Sequence, residues 1–274
     1  MTEEKTPAHR ATKAYYSRRF MESPDARPVR ILSEYLEPLE RFEDYNVRDT
    51  ILIFGSARTI SREEAEARLA EARGKNEGVA AAELALRMSR YYEATRQLAY
   101  RLTEWSKGLG EGGRRFVICS GGGPGIMEAA NRGASEARGE NIGLGISLPF
   151  EQYNNSYITR RLDFHFHYFF MRKFWFLYLA KAVVLMPGGF GTLDELFECL
   201  TLIQTGKIKK RLPIVLYGNE FWDRVINLDA LVEFGTISPE DVNLYYRADT
   251  VDDAYAYITK QLTEYAVGHP GIGL

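Results

Sequence analysis

Apolar positions along this 274-residue chain fall into short continuous runs, separated by longer stretches with helical spacing. Thr50 to Phe54 is one such run, and it leads into Gly55-Ser56-Ala57, as expected of a buried parallel strand entering a loop. Further strands are predicted at Arg115–Cys119, Ile142–Ile146, Phe164–Phe170, Ala182–Met186 and Pro213–Tyr217, with a weak one near Val242–Tyr246. Helical spacing occupies Val29–Phe42, where Ile31, Leu32, Tyr35, Leu36 and Leu39 mark an apolar face. A long helical stretch runs from about Arg62 to Lys107, with interruption expected at Gly74 and Gly78. Helices follow at Pro124–Arg138, Met171–Ala180, Thr192–Gln204, Phe221–Val232 and Val251–Tyr265.

Strands alternating with helices indicate an α/β fold, a doubly wound parallel sheet with helices on both faces. No internal repeat at a fixed period is evident. Residues 1 to about 27 are polar and punctuated by Pro7, Pro24 and Pro28, which reads as an arm: a solvated tail, or a contact arm through Arg18 and Arg19. The expected division is an N-terminal arm and helix over residues 1–49 and one large domain over 50–274.

Composition narrows the function classes. Hydrophobic residues at 45% and charged residues at 26% are ordinary for a globular chain. A formal net charge of −2 argues against broad binding to nucleic acid or an anionic membrane. The apolar run Phe174 to Ala180 is far too short to span a bilayer, and Met1 to Arg30 lacks the apolar stretch of a signal peptide. Cys119 and Cys199 are too few for a disulfide framework and have no metal-type spacing, so a reducing, cytoplasmic setting is expected.

Three predicted strands end in small-residue loops: Gly55-Ser56, Ser120 to Gly125 including Gly122 and Gly123, and Pro187-Gly188-Gly189-Phe190-Gly191-Thr192. In open α/β sheets, ligands sit outside the carboxyl ends of the strands. A glycine loop opening a helix lets backbone N–H groups approach an anion, although glycine also serves plain tight turns. The dinucleotide fingerprint fails, since Ile126 or Glu128 occupies the third glycine position, and no Gly-Lys-Ser/Thr follows either loop. A mononucleotide or sugar phosphate fits better than NAD or ATP.

Several charged residues accompany these loops. Glu195 lies three positions after Thr192, the spacing of a capping box, and Asp194 reads as a partner of the helix dipole. Arg172 and Lys173 open a predicted helix, where cations oppose the dipole, and a broken local rule invites a functional explanation. Glu128, in the first turns after Gly125, reads either as a dipole partner or as a ligand contact. Asp163, His165 and His167 alternate on one strand face, but hydrogen-bonded histidines near a cleft are commoner than a metal set, and no metal is expected.

Ser120-Gly-Gly-Gly-Pro-Gly-Ile-Met-Glu-Ala-Ala130, Met171-Arg-Lys173 and Pro187-Gly-Gly-Phe-Gly-Thr-Leu-Asp-Glu195 resemble the motifs of the Lonely Guy (LOG) family, often labelled lysine decarboxylase-like. The resemblance spans about Ile51 to Leu216, and Leu148 to Asn155 is similar to the loop of longer bacterial members. It implies a Rossmann-like domain that hydrolyses the N-glycosidic bond of nucleoside 5′-monophosphates, such as AMP or cytokinin ribotides, without a cofactor and usually as a dimer. Arg172 and Glu195 match the catalytic pair. Met171, Lys173 and the segment Pro187, Gly188, Gly189, Gly191 and Thr192 match nucleotide-binding positions, and Thr201 matches a further substrate contact. With Gly55, Ser56, Gly122, Gly123 and Glu128 from the loops, these form the expected substrate site.

The expected chemistry passes through an oxocarbenium-like ribose, with Glu195 stabilising the charge and activating water while Arg172 holds ribose and phosphate. The other reading is a nucleotide or phosphorylated-cofactor carrier on the same fold, for which the loops alone would suffice. Decarboxylation of lysine has no supporting Schiff-base lysine. Self-association is expected from the resemblance and from Phe174 to Leu179, a helix apolar nearly all round.

Overall fold

A computed structural model describes residues 11–110, 114–148 and 154–269. The elements in chain order are α1 (Arg18–Met21), α2 (Arg27–Asp44), β1 (Thr50–Phe54), α3 (Arg62–Lys75), α4 (Val79–Lys107), β2 (Val117–Ser120), α5 (Ile126–Glu136), β3 (Asn141–Ile146) and β4 (Asp163–Phe166). There follow α6 (Phe169–Tyr178), β5 (Ala180–Leu185), α7 (Phe190–Gln204), β6 (Ile214–Tyr217), α8 (Asn219–Val225), α9 (Leu228–Glu233), β7 (Tyr246–Ala248) and α10 (Val251–Tyr265). The strands form one sheet in the order β4-β3-β2-β1-β5-β6-β7, every pair parallel.

β1 shows why the strand runs are continuously apolar. Ile51 and Ile53 face the core that holds Leu98, Leu102 and Ile126, while Leu52 and Phe54 face the core that holds Phe176, Leu196 and Trp222. Side chains alternate across a strand, so a strand covered on both faces needs apolar residues at every position. The chain winds outward from β1 in both directions, which puts the topological switch between β1 and β5.

The helix carrying Arg172 is held at both ends by other elements. Glu34 of α2 accepts N–H bonds from His167 (2.7 Å) and Tyr168 (3.2 Å) at the start of α6, satisfying donors that a helix N-terminus leaves open. The Glu34 carbonyl also accepts from Trp175 Nε1 at 2.8 Å. Lys210 Nζ donates to the carbonyls of Leu177 and Tyr178 at the other end, and burial pulls its ammonium down to about 8. The N-terminal helix is thus part of the scaffold of α6. Ahead of it, most of residues 11–25 are exposed, and Arg18 pairs with Glu22; residues 1–10 of the arm lie outside the described residues.

Several element boundaries depart from expectation. The helical stretch 62–107 divides at Asn76 and Gly78, both left-handed, while Gly74 stays inside α3. β4 ends at Phe166, four residues early, because Tyr168 turns to cap α6; His167 therefore leaves the strand face shared by Asp163 and His165. The predicted helix at 221–232 is two short helices separated at Ile226-Asn227, with the Asn227 side chain capping the second. The last strand lies at Tyr246–Ala248 rather than near Val242, since Pro239 starts a 3-10 turn capped by Ser238 and Asp241. On α2, Ile31, Tyr35 and Leu39 pack on the core, but Leu32 and Leu36 are 55% and 50% exposed.

Candidate active site

The loops after β1, β2 and β5 meet at the switch point, and Ser56 joins them. Its N–H donates to the Pro187 carbonyl (3.0 Å), its carbonyl accepts from Ile126 N (3.0 Å), and its hydroxyl accepts from Arg58 N (3.1 Å). Gly55 is glycine for packing: a Cβ there would fall 2.6 Å from the Ile126 side chain. Gly125, at φ +73, caps α5 with its Cα against the Ser56 carbonyl and Ala57. Both requirements are steric.

The loop after β2 is fixed by a buried amide network. Ser120 Oγ donates to Asn131 Oδ1 (2.7 Å) and accepts from Gly122 N (3.1 Å). Asn155 Nδ2 reaches the Gly122 carbonyl (3.0 Å), the Gly123 carbonyl (3.1 Å) and Asn131 Oδ1 (3.0 Å). Buried polar groups that satisfy one another rigidify a site. Asn131 and Asn155 escaped the sequence reading, because an asparagine in a helix or loop carries no periodic signal. Residues 149–153 of the loop that resembles longer bacterial members lie outside the described residues.

Arg172 rises from α6 beneath this loop. Its Nε donates to the Leu144 carbonyl at 2.7 Å, and its guanidinium lies 4.9 Å from the Phe176 ring centroid. Its Nη2 is so close to Gly121 that a Cβ there would be 2.6 Å away. Burial lowers its pKa, and Glu195 partly opposes that shift. Met171, one residue earlier, is buried and lines the groove between α2 and α6 instead.

Glu195 occupies the core-facing stripe of α7 with Thr192, Leu196 and Cys199, a spacing that puts all four on one helix face. Its carboxylate is buried, and Oε2 has no hydrogen-bond partner. Burial pushes its pKa up to about 7; Lys173 and Arg172 pull it down, while Glu198 and Asp194 push it up. A carboxylate so placed is poised to exchange a proton near neutrality.

The capping-box expectation for this segment is overturned. α7 starts at Phe190, with Gly189 as its cap and no side-chain capping bond. Thr192 therefore lies in the first turn, its Oγ1 folded over the Cα of Gly188, a position open only because glycine has no Cβ. Asp194 is likewise not a first-turn dipole partner; its Oδ2 pairs with Lys173 Nζ at 2.8 Å. α6 also starts early, at Phe169, so Arg172 and Lys173 stand beyond the first turn and the dipole conflict expected of them is small.

The amides of Phe190, Gly191 and Thr192 open a 15-residue helix without an acidic residue in its first turn, which leaves donors for an anion. Glu128 accepts from Tyr92 Oη (2.6 Å) and borders a polar cavity with Arg58, Ser61 and Gly125. Thr201 spends its hydroxyl on the Phe197 carbonyl (2.7 Å). His165 Nε2 lies 2.9 Å from Ser147 Oγ, and Asp163 bonds Asn154. Among the described residues no helix is long and apolar enough to cross a membrane.

Residues 127–258, which include Arg172 and Glu195, match the family model described as "Possible lysine decarboxylase". Over 90 residues the chain is 32% identical to the cytokinin riboside 5′-monophosphate phosphoribohydrolase LOG3 of Arabidopsis thaliana, covering 33% of this chain and 40% of that protein. It is 32% identical to the enzyme of the same name, LOG, from Oryza sativa subsp. japonica, covering 32% and 37%. The match thus spans about two fifths of the curated relatives' length. Among solved structures, the molybdenum cofactor carrier protein of Chlamydomonas reinhardtii aligns over 79% of this chain and 99% of its own, at 17% identity and TM-score 0.46, a likeness that says nothing of function. With the motif residues gathered at the switch point and the family model matched across Arg172 and Glu195, the chain carries a lysine decarboxylase-like domain of the Lonely Guy (LOG) family.

Proposed function

We propose that the chain is a nucleoside 5′-monophosphate phosphoribohydrolase that converts a nucleotide such as AMP or a cytokinin ribotide, with water, to free base and ribose 5-phosphate. The observation that carries this reading is the Glu195 carboxylate, buried beside Arg172 with one oxygen unpartnered and its pKa near neutrality. A carrier of nucleotides would need only the loops; a buried carboxylate with an oxygen left without a hydrogen bond costs stability, and base catalysis supplies a reason to keep it.

In this mechanism the α7 amides at Phe190 to Thr192 hold the phosphate, remote from the reacting carbon. The C1′–N bond breaks with its electron pair passing to the base, and the ribose takes on oxocarbenium character. Glu195 stabilises that charge and accepts the proton of the water attacking C1′. Arg172, whose terminal nitrogens border the Gly121 loop, holds the sugar phosphate by charge-assisted hydrogen bonds. Arginine hardly deprotonates, so the departing base takes its proton from solvent. No cofactor is required, and the two buried thiols suit a reducing cytoplasm.

Incubation with a panel of nucleoside monophosphates, followed by assay for free base, tests the reading. AMP should be cleaved and should bind at least about tenfold more tightly than adenosine, equivalent to about 1.4 kcal/mol from the phosphate. Equal affinities by calorimetry would remove the phosphate role of the loops, and absence of base release across the panel would remove the activity.

We also propose that the chain self-associates with a second copy. Leu32 and Phe170, each 55% exposed, border one apolar groove between α2 and α6, and Phe169 is 53% exposed beside it. Such contiguous exposed apolar surface marks an interaction site. A dimer in light scattering at micromolar concentration is expected, with Leu32→Glu shifting it toward monomer. A monomeric parent chain would sink the idea.

A further inference from the structure

Lys173 sits at the centre of an acidic cluster. Its Nζ lies 2.8 Å from Asp194 Oδ2, 2.8 Å from Glu198 Oε2 and 4.0 Å from Glu195 Oε1. Asp194 and Glu198 are four residues apart on α7, so they project side by side, with Glu195 between them in sequence on the buried side. The ammonium has three donors, and two are already engaged. A phosphate reaching it would have to approach three carboxylates, each of which repels it.

We propose that Lys173 is a positioning residue for Glu195 and not a contact to the phosphate: Asp194 and Glu198 pin its ammonium 4.0 Å from Oε1, where its positive charge favours the ionised carboxylate that takes the proton of the reacting water. This inference rests on the reading of Glu195 as the base. The charged groups facing Glu195 are Arg172 and Lys173 from α6, and Asp194 and Glu198 from α7. Cys199, pushed up to about 12 by burial, remains a neutral thiol. Burial pulls the Lys173 ammonium down, but Asp194 and Glu198 outweigh it and keep the group charged. Removing the Lys173 charge leaves the two acids unopposed on that side; removing the Glu198 charge does the reverse.

The test is a carboxyl titration of 13C-labelled protein by NMR, with the Glu195 signal assigned by its loss in Glu195→Gln, alongside the pH profile of base release. Lys173→Met should raise the Glu195 midpoint by at least about one pH unit, and Glu198→Gln should lower it by about half a unit or more. Lys173→Arg should restore the parent midpoint to within about half a unit. The rising limb of kcat should move with the midpoint, while KM for AMP stays within about threefold. Opposite shifts are not what general structural damage produces. A KM for Lys173→Met raised about tenfold or more, with an unmoved limb, would make Lys173 a substrate contact and overturn the proposal. Unmoved midpoints in both charge variants would also overturn it. If the parent releases no base, the function reading fails while the carboxyl titration still decides the role of Lys173. If Lys173→Met does not fold, Glu198→Gln and Lys173→Arg carry the same test.

Discussion

Glu195→Gln is expected to lose at least about a hundredfold in base-release rate, the scale of a missing general base, while making the folded protein more stable above neutral pH. The amide keeps the size of the side chain but can neither accept the proton of water nor carry the charge that an oxocarbenium calls for. The stability gain follows from burial. The folded state holds the Glu195 proton up to about pH 7, against 4.5 for the free carboxyl, so ionising it in place works against the fold. Its favourable contribution is complete below about pH 4.5 and is lost as the pH rises through 7. A shift of that size corresponds to about 3 kcal/mol, and glutamine should recover about 2 kcal/mol of it at pH 8, since a buried amide still has groups to satisfy. Parent and variant should melt alike near pH 4.5, where the carboxyl is protonated. The parent rate should climb with pH and level off above about 7, following the ionised fraction. Melting curves at several pH values with single-turnover base release would show this. A Glu195→Gln protein that still releases base at the parent rate would end the proposed mechanism, and one that melts lower at pH 8 would contradict the electrostatic account.

Arg172→Lys should cost at least about a hundredfold in kcat/KM, although the charge is retained. Lysine has no planar fork and cannot reproduce the Nε bond to the Leu144 carbonyl while presenting donors beside Gly121. Each charge-assisted bond lost from the sugar phosphate is worth about 1.5–3 kcal/mol, so two suffice for that loss. The Leu144 carbonyl would also lose a donor, lowering stability by about 1 kcal/mol. Steady-state kinetics on AMP with a melting curve separate the two effects. Parent-level kcat/KM in Arg172→Lys would mean that only the positive charge matters, and the guanidinium geometry would carry no function.

Read alone, the chain disclosed its architecture well. Continuous apolar runs such as Thr50 to Phe54 predicted strands covered on both faces, and the glycine loops at their ends pointed to a candidate site at the carboxyl edge of the sheet. Those features are local: a strand buried on both sides must be apolar throughout, and a close approach of loop and helix requires glycine. The motifs carrying the family resemblance are local as well, being short and contiguous. What stayed hidden depends on neighbours distant in the chain. Thr-x-x-Glu reads as a capping box by spacing, yet α7 starts two residues earlier because Gly188 lets Thr192 fold over it, and only then does Glu195 fall on the buried stripe. The first turn of α6 is set by Glu34, more than 130 residues away, and not by its own sequence. The hydrogen bonds that Glu128 makes with Tyr92 and Thr201 with the Phe197 carbonyl appear only in the folded chain. Likewise the charge on Glu195 is decided by burial and by Lys173, Arg172, Asp194 and Glu198 around it. Propensity and spacing act over one turn of chain, whereas desolvation and hydrogen-bond partners are properties of the packed interior, and the packed interior is what raises the pKa of this carboxyl.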